Sequence, residues 1–169
     1  MPLTSQLDEL LESWRDVRDG IIDEVRNIPA NRFDFRPTPE VRSVREQVQH
    51  ILEIAMMATG EFTRPDTNLR RAPWPKLLAM YAKPAWRART KAQLLALLRS
   101  QMRDAERRFR KQGELALLQF HTRFDGRQGT KLAWMHHAVE QEWYHRGQLA
   151  LYARLLGLVP ALTQRIRGG

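Results

Sequence analysis

The 169-residue sequence contains no cysteine, so disulfides and thiolate ligands are excluded and any metal must be taken by nitrogen or oxygen. It has no apolar run near the roughly 20 residues that span a bilayer. The opening MPLTSQLDEL lacks the basic and apolar regions of a signal peptide. There is no glycine-rich phosphate loop, no HExxH and no nucleophile elbow, and the few serines stand in no nucleophilic setting. These absences lead us to expect a cytoplasmic chain with no membrane partner.

What is abundant is arginine. Of 28 basic residues 23 are arginine, and the net charge is +9. Such an excess attracts nucleic acid or anionic substrates without specificity. The charges are spread along the chain, however, and only RDAERRFRK (103–111) reads as a cluster. Asp104 and Glu106 interrupt it, as they would on a solvated helix face. No clustered basic face with aromatic platforms can be assembled, which disfavours nucleic acid as a partner. Hydrophobic content of 43% and charged content of 28% are ordinary for a globular chain, and the length predicts a single domain over 1–169.

Four long segments carry helical periodicity, and none alternates like a strand. The first runs from about Thr4 to Asn27, with Leu7, Leu10, Trp14, Val17, Ile21 and Val25 spaced by threes and fours. The second opens on a Ser43–Glu46 capping box and carries Val44, Val48, Ile51, Ala55, Ala58 and Phe62. A proline-bearing linker, Arg64 to Arg89, follows, in which WPKLLAMYA suggests a short helix. The third helix opens on a Thr90–Gln93 box, carries Leu94, Leu98, Met102, Ala105 and Phe109, and stops at Gly113. A loop with Gly126 and Gly129 leads to the fourth, Thr130 to Leu156, ended by Gly157 and Pro160. The class is all-α, a four-helix bundle. The long linker between helices 2 and 3 can cross the whole bundle and let those two helices run parallel.

Polar residues crowd the end of this pattern. Gln141 and His145 lie one turn apart on helix 4, with His137 a further turn back, and helix 2 offers His50 beside Ile51 and Ile54. Histidines from two facing helices with a polar residue one turn away can hold a divalent metal, and imidazole suits zinc, nickel or iron. A lone histidine at the edge of an apolar stripe is more often a hydrogen-bonded structural residue. That reading stays open for His50, and more strongly for His136 and His137. His137 and His145 stand about 12 Å apart along the helix axis, too far to share one ion. Gln141 taken alone is a packed or solvated amide. A di-iron centre would need two Glu-x-x-His motifs, and Glu142–His145 is the only one.

HRGQLALYARLLGLVP (145–160), preceded by EQEWY, resembles the closing helix of the DinB/YfiT-like superfamily of metal-binding four-helix bundles. RSVREQVQHILEI (42–54) resembles that superfamily's second helix, where a histidine follows a serine-containing start. The resemblance covers about residues 5–160. It implies an up-down-down-up bundle with a long crossover between helices 2 and 3, a homodimer, and a metal held by three histidines. On this sequence the first is His50 and the last is His145, while the middle position is Gln141, a departure from the pattern. An amide oxygen is a weaker donor than imidazole, so the implied metal, zinc or nickel, is expected to be weakly held or absent. Supporting roles are expected for Glu142, as acceptor from a ligand imidazole, and for Arg146, against a buried carboxylate or an anionic substrate. Gln148 is expected to tie two helices together, and Gly147 to allow their close approach. A polar network that fastens helix 4 is the alternative for all four.

The function implied is a metal-dependent transferase of low-molecular-weight thiols or a hydrolase of a small-molecule substrate. The alternative is a non-catalytic, stress-related bundle whose metal site is weakened or empty. A nucleic-acid binder, suggested by charge alone, comes third.

Overall fold

The computed structural model describes residues 5–168. Ser5 caps α1 (Gln6–Asn27) by accepting the Asp8 backbone N–H at 3.1 Å. The expected beginning of this helix at Thr4 lies outside the described residues. α2 (Val44–Phe62) opens on the Ser43–Glu46 box, and the apolar stripes of both helices are buried as their spacing predicts. Within the linker come α3 (Trp74–Tyr81) and the short α4 (Lys83–Arg87). α5 (Lys91–Gln112) opens on the Thr90–Gln93 box and ends at Gly113, whose φ of 79° favours glycine. An antiparallel hairpin, β1 (Phe120–Thr122) and β2 (Gln128–Thr130), leads into α6 (Lys131–Leu155), and α7 (Ala161–Gly168) follows Pro160. No described helix is long and apolar enough to cross a membrane.

Side-chain contacts along the bundle fix the helix directions. α1 and α6 run together, because Trp14 and Arg18 meet Glu142 while Asn27 reaches the Val159 carbonyl at 2.8 Å. α1 and α5 oppose one another: Asp8 pairs with Arg110, and the Lys91 ammonium donates to the Arg26 and Ile28 carbonyls. α2 opposes α6, since Tyr152 donates to the Arg42 carbonyl at one end and Phe62 meets Trp134 at the other. The topology is up-down-down-up. With α2 and α5 parallel, the chain between them must return along the full length of the bundle. It does so against α2, held by Tyr81 on Glu61 (2.6 Å), Trp86 on Glu53 (2.7 Å) and Gln49 on the Ala88 carbonyl (2.8 Å).

One polar network crosses this apolar interior. Arg18 Nε donates to Glu142 Oε2 at 2.8 Å, Arg18 Nη2 closes on Oε1, and Trp14 Nε1 donates to the same carboxylate at 2.6 Å. Arg18 Nη1 donates to the Leu98 carbonyl and to Gln101 Oε1 on α5. The Gln101 amide in turn donates to Thr59 and to the Ala55 carbonyl on α2. Arg18 is wholly buried and Glu142 is 3% exposed, so neither charge has water to fall back on.

The hairpin and α7 were not expected. Three-residue strands are too short to show alternation, but the Asp125-Gly126 turn was an available signal, with Gly126 at φ 85°. β1 also pairs with the start of the crossover through Leu69 N–H on the Thr122 carbonyl at 2.9 Å. α7 begins where the Glu24 carboxylate accepts the Ala161 backbone N–H at 3.0 Å, a cap supplied from α1 that no local sequence reveals. His121 of β1 is buried edge-on against Phe62 and Trp134.

Two outcomes are expected. Glu142→Ala strands the Arg18 guanidinium and should lower the unfolding free energy by about 3–5 kcal/mol in urea titrations. An Arg18→Met, Glu142→Leu double variant should lose less than either single change, and additive losses would remove the network as a coupled unit. The second concerns pH. Burial pushes the His121 and His145 pKa values below the usual range, while the unfolded chain titrates near about 6.5. As pH falls through that value the unfolded state gains protons that the folded state refuses, so stability falls. The urea midpoint should be lower at about pH 5 than at about pH 7, and His121→Phe should narrow the difference. An unchanged difference would exclude His121 as a contributor.

Candidate metal centre

His50 stands on α2 between the buried stripe and the open side of the bundle, and His145 faces it from α6 with 3% exposure. Their rings meet edge to face, with centroids 4.8 Å apart. Each ring is oriented from behind. His50 Nδ1 is 2.6 Å from Glu53 Oε1, and the other carboxylate oxygen accepts Trp86 Nε1–H at 2.7 Å. Burial works to raise the Glu53 pKa, but the hydrogen bonds from His50 and Trp86 outweigh it and hold the carboxyl below its usual range. An ionised Glu53 therefore accepts from Nδ1–H and leaves His50 Nε2 as the ring's free donor atom, with no hydrogen bond among the described residues.

His145 has an amide in place of a carboxylate behind it. Its Nδ1 is 2.8 Å from Gln148 Oε1, which also accepts the Gln47 amide at 2.6 Å. Burial pushes the His145 pKa down, partly offset by the Gln148 hydrogen bond, so the ring is neutral at pH 7. Its Nε2 faces the Gln141 amide at 2.8 Å. His50, His145 and Gln141 are thus brought together.

The other expected roles divide by helix face. Residues 141, 145 and 148 of α6 look toward α2, whereas 142 and 146 are rotated toward α1. Glu142 accordingly accepts from Trp14 and Arg18, and not from an imidazole. Arg146 pairs with no carboxylate among the described residues; its guanidinium lies 4.9 Å from the Trp143 ring centre and against Gly20 of α1. The close approach expected at Gly147 occurs at Gly20, where any Cβ would overlap that guanidinium, while Gly147 faces open space. Gln148 does tie two helices together, through Gln47. His136 is exposed, and His137 meets Trp134 edge to face with ring centroids 5.1 Å apart. Sequence reasoning missed Glu53 and Gln47. Each lies three residues from His50 on one helix face, which was the available signal.

The donor set fits a divalent cation only in part. Two imidazoles with Nδ1 already committed are good ligands, and the amide oxygen of Gln141 is a poor third. Among the described residues no three His, Asp or Glu side chains converge on one point. Beyond Gln141 opens a cavity of about 450 Å³, roofed by Trp74, Phe124 and Trp134 and floored by Met57, Ala58 and Phe62.

Solved structures share this architecture. YfiT from Bacillus subtilis, described as a probable metal-dependent hydrolase with an unusual four-helix bundle topology, aligns with a TM-score of 0.71 at 17% identity, covering 94% of each chain. A DinB-like protein from the same organism aligns at 0.67 and 21% identity, covering 88% of this chain and 92% of its own. A mycothiol-dependent maleylpyruvate isomerase aligns at 0.67 and 14% identity, over 86% of this chain and 61% of its own. At these identities the likeness carries the fold alone. No curated protein matches the chain significantly. The DinB family model matches residues 1–167, and the chain belongs to the DinB family.

Proposed function

We propose that the chain binds a divalent cation, zinc or nickel, weakly through His50, His145 and Gln141, and acts in the cytoplasm on a small molecule held in the adjoining cavity. The reaction is transfer of a low-molecular-weight thiol or hydrolysis. The observation that carries this is the facing pair of imidazoles, 4.8 Å apart, each with Nδ1 fixed from behind. The descriptions of YfiT as a probable metal-dependent hydrolase and of the isomerase as mycothiol-dependent support the same reading. A bound cation would supply Lewis acidity, drawing the pKa of a thiol or water toward neutrality. The chain's own part is orientation and exclusion of water. Glu53 and Gln148 aim the rings, and the aromatic walls keep the reacting face dry.

A second reading is favoured by one contact. The Gln141 amide sits 2.8 Å from His145 Nε2, so the nitrogen a metal would need is already satisfied by the protein. That suits a non-catalytic, stress-related bundle with an empty site.

Calorimetric titration of zinc and nickel into metal-free protein separates the two. Wild type should bind weakly, Gln141→His about ten- to a hundredfold more tightly, and His50→Ala not at all. Equal affinity of wild type and Gln141→His would remove Gln141 from the site, and tight binding indifferent to His50→Ala would place the metal elsewhere.

The chain is further expected to form a homodimer. Tyr144, Leu151 and Leu155 are 64%, 49% and 55% exposed at spacings of seven and four on the outer face of α6, an apolar strip open to solvent. Light scattering should give about twice the 19.8 kDa chain mass, and Leu151→Glu should halve it. A wild-type mass near 19.8 kDa at micromolar concentration would refute the dimer.

A further inference from the structure

Two cavities meet at His50. The first is the aromatic cavity of about 450 Å³ between α2, α6 and the hairpin. The second, about 340 Å³, lies at the head of α2 and is lined by Arg36, Glu40, Arg42, Gln49, Glu53 and Trp86 among others. His50 is the one residue that lines both.

Their chemistries are opposite. Among the described residues no Lys, Arg, Asp or Glu lines the first, and its polar groups are His50, His137, Gln141 and the indole N–H groups of Trp74 and Trp134, the last buried without a hydrogen-bond partner. An ionised ligand there would lose its hydration with no counter-charge, whereas a neutral ring gains from burial and from the four aromatic walls. The second carries both signs of charge. Arg36 is engaged by Glu46 at 2.7 Å, and Glu53 by His50 and Trp86. Arg42 makes no direct ion pair among the described residues, although its charge acts on Glu53 across the pocket, and it stands exposed at the rim. It is the guanidinium left over for a ligand.

We infer that the site takes two molecules at once. A neutral, apolar aromatic compound occupies the cavity beyond Gln141, and a hydrophilic compound carrying both charges, its carboxylate on Arg42, occupies the pocket at the head of α2. They meet at His50. The inference rests on the proposed transferase reading and narrows it, since hydrolysis of one substrate has no use for a second organic pocket.

The test is calorimetry on the whole chain without added metal, with 2-naphthol as the neutral ring and glutathione as the hydrophilic thiol bearing both charges. Both should bind saturably, and a saturating amount of one should leave the affinity for the other unchanged. Trp74→Ala, at a position already 39% exposed, should weaken 2-naphthol by about threefold or more and spare glutathione. Arg42→Glu should do the reverse. Circular dichroism confirms that both variants fold. Competition between the two ligands, failure of either to saturate, or equal effects of both variants on both ligands would overturn the inference. The metal reading fails separately. If zinc does not bind but the two-ligand pattern persists, the inference stands without the metal; if zinc binds through His50 while the ligands compete, the metal stands without the inference.

Discussion

The arrangement of the bundle depends on the buried contact between Arg18 and Glu142. Apolar side chains supply most of the driving force, about 1.5–3 kcal/mol for each fully buried leucine or isoleucine, but they tolerate sliding. A buried ion pair adds little net stability over an apolar substitute, yet misaligning it costs several kcal/mol. Arg18 and Glu142 therefore act against every other register of α1 on α6. Through Leu98, Gln101 and Thr59 the same guanidinium extends that penalty to α5 and α2. With Glu142 held toward α1, the positions about 60–120° to one side of it on α6 must face α2. Those positions include 141, 145 and 148, so the network that looks structural also sets the direction in which His145 points.

The residues of the candidate metal centre show how orientation and charge separate. Glu53 and Gln148 both fix an Nδ1, but they differ in charge. An ionised carboxylate stands behind His50 and a neutral amide behind His145, where burial lowers the ring's pKa against a partial offset from the Gln148 hydrogen bond. Gln141 continues the trend toward neutrality. The result is a centre with good geometry and little negative charge, self-satisfied by amide hydrogen bonds when no cation is present. A divalent ion entering it must displace the Gln141 contact and finds no anionic ligand in return.

Much of this was legible in the sequence where a local rule governs. The four long helices followed from three-and-four spacing, and their starts from Ser43–Glu46 and Thr90–Gln93, because capping is decided within one turn. That His50, Gln141 and His145 would lie together was legible through the resemblance. The roles of Glu142 and Arg146 were not, because adjacent positions on a helix differ by about 100° and no sequence states which neighbour lies at which angle. Arg18, the true partner of Glu142, lies far away in the chain and reads locally as one more solvated arginine. Glu53 was missed for a related reason: its second bond, to Trp86, comes from the crossover and exists only once the chain has folded back.

That crossover links topology to the site. Because α2 and α5 are parallel, a segment of about the bundle's length must lie outside the four helices and pack on something. It packs on α2, through Tyr81, Trp86 and Gln49, and its first residues add to the edge of the hairpin through Leu69 and Thr122. A hairpin-connected up-down bundle would leave the α2–α6 seam open to water. Here Trp74 from the crossover and Phe124 from the hairpin touch at 5.1 Å and close over it. The same helix direction that demands a long connection thus places aromatic walls beside His50, and the aromatic cavity follows from the topology itself.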